Sequence, residues 1–277
     1  MAFSVNTNAS ALSALLNLNS TTRDLEQTQT RINTGLKISS AKDNAAIFSI
    51  AQKLRADLRG YSAVKQSLDR SISTTDIALA AAGAISDLLI EMKEKSVAAA
   101  DAGLDPTSRT ALNEDFQALR DQISIIVANA EFNGTNLIDG GTDAIVAITN
   151  PNATQTITIA HQNLTLGGGN VTITAAQTIT TQTLAATALT NIDNSLALVN
   201  AVLTKLGAGG KSLESQRAFA DKISDTIQVG IGNLVDANMA KESANLQSLQ
   251  VKQQLGIQAL SIANQAPQSI LSLFSGR

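Results

Sequence analysis

The sequence predicts a mainly α protein: a long antiparallel helical bundle or coiled coil formed by the N- and C-terminal halves, with a small β-rich insert between them. Three observations lead there. Hydrophobic residues make up 44% of the 277 positions but aromatics only 3%, so the apolar content is Ala, Leu, Ile and Val, which suits close helix–helix seams. Three prolines leave long stretches in which a helix can run unbroken. Charges cluster in two blocks, because no Asp, Glu, Lys or Arg occurs before Arg23, from Ala144 to Ile192, or between Lys252 and Arg277.

Helical spacing begins in the N-terminal segment with Leu15, Leu18, Leu25, Ile32 and Leu36, and Gly35 breaks it. Ser40-Ala41-Lys42-Asp43 reads as a capping box that starts the next helix. From there Ile47, Ile50, Leu54, Leu58, Tyr61, Val64, Leu68 and Ile72 step by three and four, and Ile85, Leu88 and Met92 continue the stripe. A helix from about 41 to 100 is roughly 90 Å long at 1.5 Å per residue, so it needs partner helices along its length. Asp105-Pro106 restarts the chain as N-cap and first helical residue, before Leu112, Phe116, Leu119, Ile123 and Ile126. The same steps recur at Ile192, Leu196, Val199, Leu203 and Leu206 and extend to Ile223, Ile227 and Leu234.

Between the charged blocks the period changes. Thr156–Ile159, Leu164–Leu166 and Val171–Thr174 alternate polar and apolar residues, and Gly167-Gly168-Gly169-Asn170 reads as the turn between the last two. The expectation is a β-rich insert over 138–190 that projects from the bundle and is dispensable for polymerisation. The full division is then 1–40 with 235–277 as a terminal coiled coil, 41–137 with 191–234 as a central helical bundle, and 138–190 as the insert.

The two ends are the informative part. Leu246, Leu249, Ile257 and Leu260 form one seam near the C-terminus, whereas Val251, Leu255 and Ile262 lie on another face. A helix apolar on more than one side needs more than one neighbour. Apart from Lys252 the polar positions between are Gln and Ser, which can be buried between many identical copies without stacking like charges. The pattern points to a polymer built through both ends.

Chemistry is otherwise sparse. A net charge of −3 speaks against nucleic acid, which requires clustered Lys and Arg. There is no cysteine, and the single histidine, His161, has no second ligand at metal-binding spacing and reads as a surface residue. No P-loop, Rossmann fingerprint or Gly-x-Ser-x-Gly elbow occurs, so no catalytic, cofactor or metal residue is assigned and an enzyme is not expected. Glu91 and Lys95 read as a solvated i,i+4 ion pair. No run of 18 apolar residues suggests a membrane span. The opening MAFSVNTNAS lacks the charged region and apolar stretch of a secretory signal, so export by a cleaved signal is not expected.

Several motifs carry a family resemblance. Val5-Asn6-Thr7-Asn8 with Ala11-Leu12, Thr34 to Ala46 (TGLKISSAKDNAA), Phe132-Asn133-Gly134 with Leu137, Val235 to Glu242 (VDANMAKE) and Ala263 to Gln268 (ANQAPQ) occur in one order. Together they resemble bacterial flagellins over residues 1–140 and 190–277. Ile231-Gly232-Asn233 resembles the α-proteobacterial variant of that family. The resemblance implies a secreted subunit of the flagellar filament. By the same resemblance it would be exported unfolded by the flagellar type III route, held at its C-terminal segment by a cytoplasmic chaperone, and added among cap and hook-associated proteins. Its terminal helices would line the inner tube. The candidate assembly residues are Asn6, Asn8, Leu12, Leu15, Leu25, Ile32, Leu36, Leu246, Leu249, Leu255, Leu260, Ile262 and Leu271.

The family stretch that supports recognition by the animal innate receptor, Arg-x-Arg-Glu-Leu-Ala-Val, corresponds here to Glu91-Met92-Lys93-Glu94-Lys95-Ser96-Val97. Glu91 reverses a charge and Lys95 replaces an apolar residue, within a segment that includes Lys93 and Glu94, so weak recognition is expected. Two other readings are a flagellin-like hook–filament junction protein and, from a different class, a chemoreceptor-like coiled-coil signalling domain. The uncharged paired ends and the β-rich insert speak against the second.

Overall fold

The computed structural model describes the backbone of residues 7–275 and the side chains of residues 7–265. Two compact units emerge, one from Met1–Ala56 with Ile227–Arg277 and one from Asp57–Thr226. The elements run α1 (Ala9–Thr34), α2 (Ala45–Ala99), α3 (Pro106–Asn129), β1 (Glu131–Phe132), β2 (Thr135–Asn136), β3 (Ile145–Ile148), β4 (Thr156–Ile159), α4 (Gln182–Val235) and α5 (Met239–Ser275).

Helix boundaries follow their capping chemistry. The side chain of Asn8 accepts from the Ala11 N–H to start α1, and Gly35 ends it in the left-handed region at φ 70°. Asp105 caps α3 through the N–H groups of Thr107 and Ser108, with Pro106 in the first turn, as the sequence indicates. The expected capping box at 40–43 is instead a turn. Asp43 accepts from the backbone N–H groups of Ser39 and Ser40, both at 3.0 Å, and the helix cap is Asn44, whose Oδ1 accepts from Ile47 at 3.1 Å. Once the Asp43 carboxylate is committed to the turn, the first free helical donors fall to the next short polar side chain. Asn238 caps α5 in the same way, through the Lys241 N–H.

In the Asp57–Thr226 unit, α2 and α4 are antiparallel in fixed register. Lys65 meets Asp221, Asp69 meets Arg217 and Lys93 meets Asp193, so one index falls as the other rises. Arg217 also pairs with Asp221, which makes one four-charge network across the two helices. Leu68, Ile85, Leu89, Met92, Phe116, Ile123, Ile192, Val199 and Leu206 fill the core between α2, α3 and α4. A stretch of α2 is apolar enough on average to cross a membrane, although no run is continuously apolar; in this fold its Ala78, Ala82, Ile85 and Leu89 belong to that core.

The middle stretch differs most from expectation. Only Thr156–Ile159 forms a strand, paired antiparallel with Ile145–Ile148 in the register Ile145↔Ile159. Leu164–Leu166 and Val171–Thr174 are irregular, and α4 extends back to Gln182, through threonines that alternation alone does not separate from a strand. Nor does this stretch project. Ile138, Leu164, Val171, Ile173 and Ile179 are fully buried in the core of the bundle. The Thr172 N–H donates to Ser195 Oγ of α4 at 2.9 Å, and the Ile179 N–H donates to Asn113 Oδ1 of α3 at 2.8 Å. The Leu164 N–H instead donates to the Ile138 carbonyl at 2.8 Å, so these backbones are satisfied by helix side chains or by isolated loop bonds, without strand pairing.

Two glycines make room for the β3–β4 hairpin. A Cβ on Gly60 would lie 2.5 Å from Pro151 Cβ, and one on Gly209 would lie 2.9 Å from Ile159 Cδ1. The short β1–β2 hairpin turns on Asn133 (φ 52°) and Gly134 (φ 81°), a two-residue loop with both centres left-handed.

Candidate assembly surface

In the other unit, α1 and α5 pair antiparallel. Asn8 meets Ala263, Leu18 meets Gly256, Arg31 meets Glu242 and Gly35 meets Ala237. The less exposed positions of α5 are Glu242, Leu246, Leu249, Gln253, Gly256, Leu260 and Ala263, and those of α1 include Ala11, Ala14, Leu18, Leu25, Thr28 and Ile32. Both sets step by three and four, the spacing of a coiled-coil seam. At one end the pair is tied by backbone: the Lys37 N–H donates to Val235 O at 2.7 Å, and the Ala237 N–H donates to Gly35 O at 2.9 Å. Gly232 has no Cβ where the Asp236 carboxylate sits, 2.7 Å from the position a Cβ would take.

The expected residues divide into two groups. Leu25 is buried, and Ile32, Leu36, Leu246, Leu249 and Leu260 are half-buried along the seam. Leu12, Leu15, Leu255 and Ile262 are not in the seam; Leu12 is 57% and Ile262 68% exposed. Ile257, read as a seam residue, is also exposed, because Gly256 takes the seam position beside it. Leu16 and Val251 add to the uncovered apolar surface. Asn6 lies outside the described residues, as does the side chain of Leu271.

Sequence reasoning missed the ion pair within this seam. Arg31 Nη1 lies 3.5 Å from Glu242 Oε1, and both Arg31 Nε and Glu242 Oε2 are buried without a hydrogen-bond partner. The signal was available, since Glu242 falls on the same three-and-four spacing as Leu246 and Leu249. A partly buried pair with two unsatisfied atoms contributes orientation more than stability.

On α2, Lys95 does not pair with Glu91. Its ammonium reaches Asp115 of α3 at 2.9 Å, which raises its pKa, and Lys93 reaches Asp193 of α4 at 2.6 Å. Glu91 and Glu94 are exposed, whereas Met92 and Ser96 are buried. His161 is not a plain surface residue: its Nε2 lies 3.1 Å from Asp139 Oδ1 and the ring is largely covered. The Asp139 pKa is lowered chiefly by the Gly141 N–H and then by His161.

The chain has counterparts among known proteins. Residues 5–143 match the bacterial flagellin N-terminal helical region and residues 189–274 the bacterial flagellin C-terminal helical region. The chain belongs to the bacterial flagellin family. It is 49% identical to flagellin FljM of Caulobacter vibrioides over 98% of both chains, and 37% identical to a flagellin of Brucella melitensis over 99% of both. The crystal structure of Bacillus cereus flagellin covers 65% of this chain and 94% of its own at 19% identity, with a TM-score of 0.42. This flagellin is a structural subunit, not an enzyme, and polymerises with copies of itself into the extracellular flagellar filament.

Proposed function

We propose that the α1–α5 pair is the element through which this flagellin polymerises, its seam holding the two ends together and its outer faces contacting other copies. One observation carries the reading: a pair with a regular seam leaves Leu12, Leu16, Val251, Leu255 and Ile262 in water. Scattered apolar residues need no explanation, but these five fall on one helix pair, Leu12 and Leu16 in the charge-free stretch before Arg23 and Leu255 and Ile262 in the one after Lys252. In this reading residues 1–40 and 235–277 form the inner tube and 41–137 and 191–234 the surrounding bundle. Because neighbours supply the missing faces, the terminal segments gain their full order on assembly. Hydrogen exchange of monomer and filament tests this. Protection of Leu246 to Ala263 should rise steeply in the filament, and equal, strong protection in the monomer would refute it.

The finer partners follow from the same surface. The uncharged C-terminal segment suits a cytoplasmic export chaperone that covers its apolar faces before type III export, and the same ends would meet cap and hook-associated proteins. Recognition by the animal innate receptor should be weak. Glu91 is exposed with the wrong charge, and Lys95 would have to leave Asp115 to accommodate an apolar partner. Glu91→Arg combined with Lys95→Leu should raise activation of receptor-bearing cells; potent activation by the unaltered monomer would overturn this expectation.

A further inference from the structure

Asn8 does two things at once. Its Oδ1 accepts from the Ala11 N–H at 3.1 Å and so caps α1. Its Nδ2 donates to the Ala263 carbonyl on α5 at 2.7 Å. In an α-helix that carbonyl ordinarily accepts from the N–H four residues on. The residue four on is Pro267, which has no N–H, yet α5 continues through it to Ser275. Proline therefore removes the intrahelical donor, and an asparagine from the other end of the chain provides one.

We infer that Asn8 and Pro267 form one device: Pro267 opens an acceptor at Ala263, and Asn8, fixed in place by its capping bond, fills it and so sets the register of α1 against α5. The chemistry is selective. Aspartate at position 8 would cap α1 as well as asparagine does, but it has no donor for Ala263. A side chain anchored by its own cap also loses less freedom on bonding across than a free one. The capping bond makes Asn8 a positioning residue for assembly, since the register of the seam decides where Leu12 and Leu16 lie relative to Leu255 and Ile262. Farther along the seam, Gly256 lets Leu18 Cδ1 approach within 3.2 Å of where its Cβ would be.

This inference rests on the α1–α5 pair being the assembling element. The test compares full-length parent, Asn8→Asp, Pro267→Ala and the double variant. The readouts are the subunit concentration left in equilibrium with filaments and the filament melting temperature. Asn8→Asp in the parent should raise the residual subunit concentration roughly two- to tenfold, the range of one net hydrogen bond. In the Pro267→Ala background, where position 267 returns an N–H to Ala263, the same change should have an effect close to onefold. Should Asn8→Asp form no filaments, their return in the double variant supports the device. Should Pro267→Ala itself not assemble, Pro267→Gly returns the same N–H and takes its place. Equal effects of Asn8→Asp in both backgrounds, or no effect in the parent, would overturn it. A Leu255→Ser chain that assembles like the parent would count against the assembly surface alone, leaving the Asn8–Pro267 coupling to be judged by the melting of the double variant.

Discussion

Ile173→Ala separates a core role for the middle stretch from a decorative one. Ile173 lies in an irregular segment between β4 and α4, yet it is 0% exposed and belongs to the bundle core. Removing three buried carbons loses their transfer free energy and leaves a cavity that the packed core around Ile173 closes only in part. The expected loss is about 2–5 kcal/mol. For a chain of this size 1 kcal/mol moves the melting midpoint by roughly 2–4 °C, so the drop should be between about 4 and 20 °C. Val146→Ala, on the outer face of β3 and 56% exposed, is the control and should stay within about 0.5 kcal/mol of the parent. Circular dichroism melts of depolymerised monomer measure both. A midpoint for Ile173→Ala no lower than that of Val146→Ala would mean that the segment does not pack on the bundle, and the projecting insert would be restored.

Three further outcomes follow from particular residues. Ile262→Ser should leave the monomer melt unchanged within about 0.5 kcal/mol, because the side chain is exposed, but raise the subunit concentration needed for filaments; unchanged assembly would show that this face is not a contact. Gly60→Ala should destabilise, since its Cβ would sit 2.5 Å from Pro151 and overpacking costs about 1–3 kcal/mol, whereas Gly83→Ala meets nothing within 4 Å and should stabilise by about 1 kcal/mol. Equal shifts in the two melts would contradict the packing of the hairpin on α2. Acid should weaken the fold through Asp43, Asp105 and Asp139. Their carboxyls are held below the usual carboxylate value chiefly by the Ser40 N–H, the Ser108 hydroxyl and the Gly141 N–H respectively. A depressed folded pKa contributes stability above the unfolded value and loses it as pH falls through the folded one, so the midpoint should drop below about pH 4. Asp105→Asn should flatten that slope, and an identical slope would remove Asp105 from the account.

How much was legible without coordinates can be judged from the same residues. Asp105-Pro106 and Gly35 were readable because caps and breaks depend on a few neighbouring atoms. The capping box at Ser40–Asp43 failed for an equally local reason: Asp43 turns back to the Ser39 and Ser40 N–H groups while Asn44 takes the Ile47 N–H, and spacing alone does not rank two adjacent polar side chains as the cap. The stripes through Leu68, Phe116 and Val199 were legible because a helix must bury one face, whatever it packs on.

By itself the sequence determined the helices, their buried stripes, the uncharged ends and the likeness to flagellins, all of which depend on periodicity and composition along the chain. Tertiary structure alone decided which partner each group takes. Lys95 bonds Asp115 and not Glu91, Leu164 and Ile173 enter the helical core in place of a ladder, Arg31 meets Glu242, and Asn8 reaches the carbonyl that Pro267 leaves open. The physical reason is distance along the chain. Propensity and period act over a few residues, whereas a hydrogen bond between positions 8 and 263 exists only once two helices have settled into one register.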